Sequence, residues 1–221
     1  MNFAEILWAL REGIIYSVVI FFLTLIISLP LGLPICFGRI SKIKPVSAFF
    51  RLFISVMRGT PLMLQLFVVY FLPYYAFGTA LKDMGSNWLF VSVVIGFSLN
   101  YAAYFAEIYR GGISSVPKGQ YDASLVLGLN KYRTFTRIIL PQVVKRVLPA
   151  VTNEIITLVK DTSLAFAIGQ IEMFTMAKRL ASKEVSMLPY AAAALLYYIF
   201  NLAVAFCMSK LEKKMNKYSI K

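Results

Sequence analysis

The chain contains no histidine, and so lacks the commonest general base and metal ligand. Its two cysteines, Cys36 and Cys207, lie singly inside separate apolar runs, which argues against both a disulfide framework and a zinc site. No G-x-x-x-x-G-K-[ST] stretch occurs, so the chain has no P-loop with which to hold ATP. Acid is scarce: 10 Asp and Glu stand against 23 Lys and Arg, a formal net charge of +13. Internal repeats and low-complexity tracts are absent as well. Together these absences argue against an enzyme and against any metal or cofactor held by the chain itself.

Apolar surface, by contrast, is abundant. Of the 221 residues, 59% are hydrophobic and 15% charged, and the mean hydropathy is +0.72. A soluble fold of this size cannot hide so much apolar area, whereas lipid solvates it. Five runs reach roughly the 20 residues that cross a hydrocarbon core about 30 Å thick. They are 14–37, 52–76, 88–109, 146–170 and 189–208, all read as helices because lipid offers no partner to unpaired backbone. The first is longer than the short apolar region of a removable signal, is followed by no small-residue cleavage site, and is expected to stay as a span. The expectation is an all-α integral membrane protein, with one domain over 1–221.

The basic residues are not evenly spread. Segments 38–58, 110–146 and 209–221 hold 17 of the 23 Lys and Arg, and the intervening ends are close to neutral. Bases that alternate sides in this way put the N-terminus outside and the C-terminus in the cytoplasm. The positive charge is therefore a topology signal, and nucleic acid is not expected as a partner.

Several local features accompany the spans. Residues 1–12, with Ile6, Leu7, Trp8 and Leu10, read as a short interfacial helix. Pro30 and Pro34 are expected to bend the far end of the first span. Residues 46–57 read as an apolar segment at the inner surface, and Thr60-Pro61 as a helix start in which threonine caps and proline takes the first position. Pro73 is expected to kink or end that helix.

Within the spans, Gly96, Asn100, Tyr104, Glu107 and Gly111 share one helix face, and Glu154, Thr157 and Asp161 share another with Lys160 alongside. At about 1.5 Å per residue, Asn100 lies about 18 Å and Asp161 about 14 Å from the outer ends of their helices, so both fall near mid-membrane. A carboxylate at that depth is costly to keep and marks a functional position. Glu107 and Glu154 lie further in, near Arg58. Gly96 and Gly111 read as close-packing positions. Asn100 and Tyr104 read either as ligand contacts or as interhelical hydrogen-bonding groups, and Lys160 as a structural pair or a snorkelling side chain.

The segment 120–141, QYDASLVLGLNKYRTFTRIILP, is too patterned for a simple connection. It reads as a short amphipathic helix, a glycine stop at Gly128 and a second turn, with Lys131, Arg133 and Arg137 as a basic rim. Ala123 and Ser124 are small enough to let another surface approach. A basic helix drawn to anionic lipid is the alternative.

The runs RGTPLMLQL (58–66), NYAAYFAEIYRGGISSVPKGQYDASLVLGL (100–129) and LPQVVKRVLPAVTNEIITLVKDTSL (140–164) resemble the permease subunit of bacterial ABC importers for polar amino acids. That family carries a cytoplasmic E-A-A…G loop, matched here by Asp122, Ala123, Ser124 and Gly128, with Asp in place of Glu and Ser in place of the second Ala. The resemblance implies the type I importer fold with five transmembrane helices in the bacterial cytoplasmic membrane. It also implies a coupling loop (117–141) that docks on a separate ATPase through Asp122, Ala123, Ser124, Leu127 and Gly128. The expected partners are two ATPase subunits carrying ATP and Mg, a second permease copy, and an extracytoplasmic amino-acid-binding protein. Substrate contact is expected at Asp161, Asn100, Tyr104 and Gln65, with Arg58, Glu107, Glu154 and Lys160 as gate or structural charges. The excess of acids in the spans tilts the expected cargo toward a basic amino acid. An ion-coupled carrier, a channel subunit and a structural assembly factor are the rival readings.

Overall fold

Long uninterrupted apolar helices dominate the chain, as its hydropathy dictates. The computed structural model describes residues 2–85 and 87–216; the basic residues Lys217 and Lys221 lie outside them. The helices are α1 (Phe3–Ala9), α2 (Arg11–Arg39), α3 (Lys44–Gly59), α4 (Leu62–Phe77), α5 (Trp88–Ser114), α6 (Lys118–Val126), α7 (Lys131–Thr134), α8 (Leu140–Asp161), α9 (Met173–Glu184) and α10 (Leu188–Asn216). Tighter turns precede α5 (Leu81–Met84) and follow α8 (Thr162–Ile168), and a π-helical segment, Phe135–Ile139, joins α7 to α8.

Contacts along the helices fix their directions. The Tyr16 and Phe90 rings lie 6.2 Å apart, and the Tyr109 hydroxyl donates to the Leu29 carbonyl at 3.1 Å, so α2 and α5 run parallel. Phe21 meets Phe200 at 5.2 Å while Ile6 and Leu10 pack with Ala192 and Ala193, so α10 runs the same way. Helix α8 runs opposite: its Val147 abuts Gly112 near the end of α5, and its last residue, Asp161, reaches back to Tyr101. One core gathers Phe97, Tyr101 and Phe105 of α5 with Val143, Val147, Val151, Ile155 and Leu158 of α8.

Helices α2, α5 and α10 are each long and apolar enough to cross a bilayer. Helix α8 carries Lys145, Arg146, Glu154, Lys160 and Asp161 within its 22 residues and is not apolar enough on composition. Its fully packed face is apolar, which keeps the charges to one side.

The apolar run at 52–76 is not one continuous helix. It breaks at Thr60-Pro61, and α3 and α4 meet at 114°. Proline removes a backbone donor and forces the residue before it out of helical geometry, so α3 stops there. Thr60 does not cap the following helix as its sequence position suggests. Its hydroxyl donates back to the Val56 carbonyl, closing α3, and Pro61 stands at the N-cap of α4. Helix α4 continues through Pro73 and ends at Gly78 in the left-handed region (φ +67°).

The amino-terminal helix is also more embedded than its sequence implies. Ile6 and Leu10 are buried against Met173 of α9 and Ala192 and Ala193 of α10, leaving Trp8 outward with Arg11 over its ring. Fully buried Glu172 caps α9, accepting from the Phe174 and Thr175 amides, and also receives the Tyr197 hydroxyl of α10. Four donors from two elements therefore converge on this one carboxylate, since the Thr175 hydroxyl donates to it as well.

Of the two glycines read as close-packing positions, Gly96 fits: a Cβ there would stand 2.7 Å from the Leu66 side chain. Gly111 faces open space, and its neighbour Gly112 makes the tight approach, to Val147. The face of Gly96 and Asn100 lies against the α3–α4 region, whereas α8 packs on the face that carries Tyr101 and Gly112.

Candidate functional site: an acidic helix face and an exposed loop

Position 161 ends the regular α8 helix, which places the Asp161 carboxylate at the helix terminus beside the middle of α5. Its Oδ2 accepts a 2.7 Å hydrogen bond from the Tyr101 hydroxyl. The α5 residue that meets Asp161 there is Tyr101, and not the Asn100 that the sequence count puts at that level. Tyr101 is 100° around the helix from Asn100 and belongs to the buried aromatic row Phe97–Tyr101–Phe105. Its phenol is the only polar part of that row, which is why hydropathy counting passes over it.

One turn and two turns earlier on α8, Thr157 and Glu154 stand half-exposed on the same face, with Asn153 exposed. Across from them Arg58 lies over the Tyr104 ring, 5.2 Å from its centroid. Arg58 and Asp161 both act electrostatically on Glu154, and Lys160 acts on Asp161. Asp161, Glu154, Tyr104 and Arg58 therefore form one charged and aromatic face that opens outward from the bundle, with the buried Tyr101 hydroxyl holding Asp161 from behind.

Asn100 and Gln65 occupy a different place. Both are buried where α3 breaks into α4. The Asn100 Nδ2 donates to the Met57 carbonyl and to Gln65 Oε1, each at 2.9 Å. The Gln65 Nε2 donates to the Met57 and Thr60 carbonyls and to the Thr60 hydroxyl. The break leaves carbonyls at the end of α3 without helical partners, and these two amides satisfy them. The geometry thus commits both side chains to holding the corner.

The inner charged layer is also rearranged. Glu107 pairs with Arg110 one turn along α5, through Nε at 2.9 Å and Nη2 at 2.5 Å, and not directly with Arg58. The i,i+3 spacing makes this pair local, whereas Arg58 is held by the Tyr104 ring.

At the opposite end of α5 the loop takes the expected form: helix α6, a left-handed Gly128 (φ +72°), then α7. Asn130 caps α7 by accepting from the Arg133 amide at 2.9 Å. Ser124 is turned inward, 1% exposed, with its hydroxyl on the Gln120 carbonyl. The residues that stand free are Asp122, Ala123, Leu125, Val126 and Leu127, with Val126 87% and Leu127 75% exposed. Tyr132 of α7 stands out beside them. Ser124 thus supports the helix from behind, and the outward surface is more apolar than a match to small residues alone implies. Arg146 at the start of α8 donates to the Ser115 carbonyl and hydroxyl at the end of α5, tying the two flanks of the loop together.

Among the described residues, no group of three or more Cys, Asp or Glu side chains is placed to hold a metal ion.

Residues 28–217 match the family described as binding-protein-dependent transport system inner membrane component. The L-cystine transport system permease protein TcyB of Bacillus subtilis (strain 168) is 36% identical over 214 residues, covering 96% of this chain and 88% of that protein. A putative glutamine transport system permease protein, GlnP, of Rickettsia felis is 31% identical over 205 residues, covering 92% of this chain and 91% of that one. Among solved structures, an amino acid ABC transporter crystallised with histidines superposes with a TM-score of 0.85 at 29% identity, covering 97% of this chain and 99% of that chain.

Proposed function

Since the chain belongs to the family of binding-protein-dependent transport system inner membrane components, we propose that it is the membrane permease of an ATP-driven importer of cationic amino acids. The observation that carries the cargo assignment is the outward-opening face on which Asp161 and Glu154 stand two turns apart, with Asp161 oriented by Tyr101. The Asp161 carboxylate pairs with a cationic side chain or α-ammonium. Glu154 supplies the second negative charge, while Arg58, held over Tyr104, receives the α-carboxylate. Two carboxylates against one guanidinium favour a cargo with an extra positive charge. Relatives act on chemically varied cargo, to judge from the cystine and glutamine permeases, so the assignment rests on this chain's own face.

The energy comes from another chain, because this one has no P-loop. In this reading α6 docks on a separate ATPase through Ala123, Val126, Leu127 and Tyr132, with Asp122 at the polar edge. Closure of two ATPase subunits on ATP pushes α6, and Arg146 passes the movement to α5 and α8 together. ATP drives the cycle only by favouring one arrangement of the permease over the other. Five crossings result if the bent pair α3–α4 and the polar α8 each count as one. The N-terminus then lies outside and the C-terminus in the cytoplasm. A second copy closes the path around the exposed acidic face, and an extracytoplasmic binding protein delivers the amino acid.

The test is purification of the chain expressed with a candidate P-loop ATPase subunit, followed by reconstitution. Co-purification and uptake that needs ATP support the reading. Uptake by the permease alone, driven by an ion gradient, would establish a secondary carrier instead. A complex that transports nothing would point to a structural factor.

A further inference from the structure

The turn between α2 and α3 holds a feature that transport does not use. Ser41, Lys42, Lys44, Ser47, Ala48, Arg51, Leu52 and Ser55 line a concavity of about 450 Å³. Three of its walls are cationic, and the whole segment 38–58 contains no acid. No carboxylate of that segment is therefore at hand to neutralise Lys42, Lys44 and Arg51. The turn is itself fixed: the Ser47 hydroxyl donates to the Arg39 carbonyl at 2.8 Å, and the Ile43 amide donates to Ser41 Oγ. The positive end of the α3 dipole points to the same place, since Lys44 and Pro45 form its first turn.

The concavity continues into apolar surface. Phe49, Leu52 and Val56 recur at three and four residues along α3 and are all exposed, with Leu52 lining the pocket itself. Ile43 is exposed at the same turn. A small soluble anion would use the basic rim and leave this stripe bare, whereas an amphiphile fills both. The position also suits a lipid. Phe37 of α2 contacts Phe135 beside the α6–α7 loop, centroids 6.3 Å apart, so the concavity lies at the end of the bundle that carries most of the basic residues. Basic pockets beside membrane helices at the cytoplasmic surface bind anionic headgroups.

We propose that Lys42, Lys44 and Arg51 bind the phosphate headgroup of an anionic phospholipid, whose acyl chains lie along Phe49, Leu52 and Val56. The bound lipid ties α3 to α2 at the point from which the α3–α4 corner is suspended.

The experiment is native mass spectrometry of the purified permease–ATPase complex titrated with phosphatidylglycerol or phosphatidylcholine. The unaltered complex is expected to retain phosphatidylglycerol at least about tenfold better than phosphatidylcholine, as three bases near a headgroup allow. The triple substitution K42Q/K44Q/R51Q should abolish that preference, and K42R/K44R/R51K should keep it. A second triple, K210Q/K213Q/K214Q, removes equal charge from the end of α10 and should leave it unchanged. If the neutral triple does not fold, R51Q alone should weaken retention several-fold. Equal retention by the neutral triple, or equal loss from the α10 triple, overturns the proposal. Displacement of the lipid by millimolar inorganic phosphate also overturns it, in favour of a soluble anion. Crosslinking of a cysteine introduced at Leu52 to a second permease copy would make the face a protein interface and overturn it equally.

Discussion

The Tyr101 hydroxyl donates a 2.7 Å hydrogen bond to Asp161, joining the middle of α5 to the end of α8. Tyr101 is fully packed in the core, while Asp161 is half-exposed on the outward face. One contact thus connects the aromatic core to the carboxylate proposed to meet the cargo. Loss of the phenol frees the carboxylate to rotate without removing its charge.

Tyr101→Phe should therefore lower stability by about 0.5–2 kcal/mol, the usual range for an interhelical hydrogen bond in a membrane protein. Asp161→Asn should lose part of the same energy. A double-mutant cycle on thermal unfolding in detergent checks the coupling, with the double variant less destabilised than the sum of the singles. Strict additivity would show that the bond contributes nothing.

Gln65 and Asn100 are expected to act on stability and not on cargo choice. Their amides occupy the carbonyls of Met57 and Thr60 at the α3–α4 corner. Gln65→Leu or Asn100→Leu strands buried acceptors and should cost about 1–3 kcal/mol each. Thermal unfolding and the KM for uptake, measured on the same preparations, separate the roles. A large KM change with unchanged unfolding would return these residues to the substrate site.

The adjacent glycines of α5 should behave oppositely. Gly111→Ala introduces a methyl into open space and should be close to neutral or slightly stabilising. Gly112→Ala drives a methyl into the Val147 side chain and should cost about 1–3 kcal/mol through overpacking. Val147→Ala should recover part of that loss. Detergent unfolding of the three variants decides the matter, and equal behaviour of the two glycines would contradict the packing described.

On the α6 loop, a cysteine at Val126 or Leu127 should crosslink to the ATPase, since both side chains stand free. A cysteine at Ser124 should not, because that side chain faces its own chain. Arg146→Ala should keep the ATPase bound yet uncouple ATP hydrolysis from uptake several-fold. Crosslinking from Ser124 but not from Val126 would reverse the assigned faces.

What the sequence showed and what it hid divide along physical lines. Helix identity, the glycine stop at Gly128 and the level of Asp161 beside the middle of α5 follow from hydropathy, turn chemistry and a fixed rise per residue. These are properties of single segments. The Tyr101 contact was hidden because a tyrosine in an aromatic row reads as core, and only the packing of α8 shows which atom its hydroxyl meets. Asn100 and Gln65 looked like ligand groups because sequence does not reveal that the 60–61 break leaves carbonyls needing partners. The inward turn of Ser124 is likewise a matter of which helix face the bundle covers. Glu172 and Arg146 carry no signal beyond their charge; the Tyr197 donor of the one and the Ser115 acceptors of the other come from elements well away in the chain.

The most direct test of the central claim is arginine uptake into proteoliposomes holding the permease–ATPase complex and its binding protein, with and without Asp161→Asn. The account predicts that the unaltered complex accumulates arginine only with ATP, in preference to glutamine. The substitution should reduce that uptake and the substrate-stimulated ATP hydrolysis at least tenfold, about 1.4 kcal/mol at 25 °C, while the complex stays assembled. Unchanged arginine uptake and unchanged stimulation in the substituted complex would contradict it.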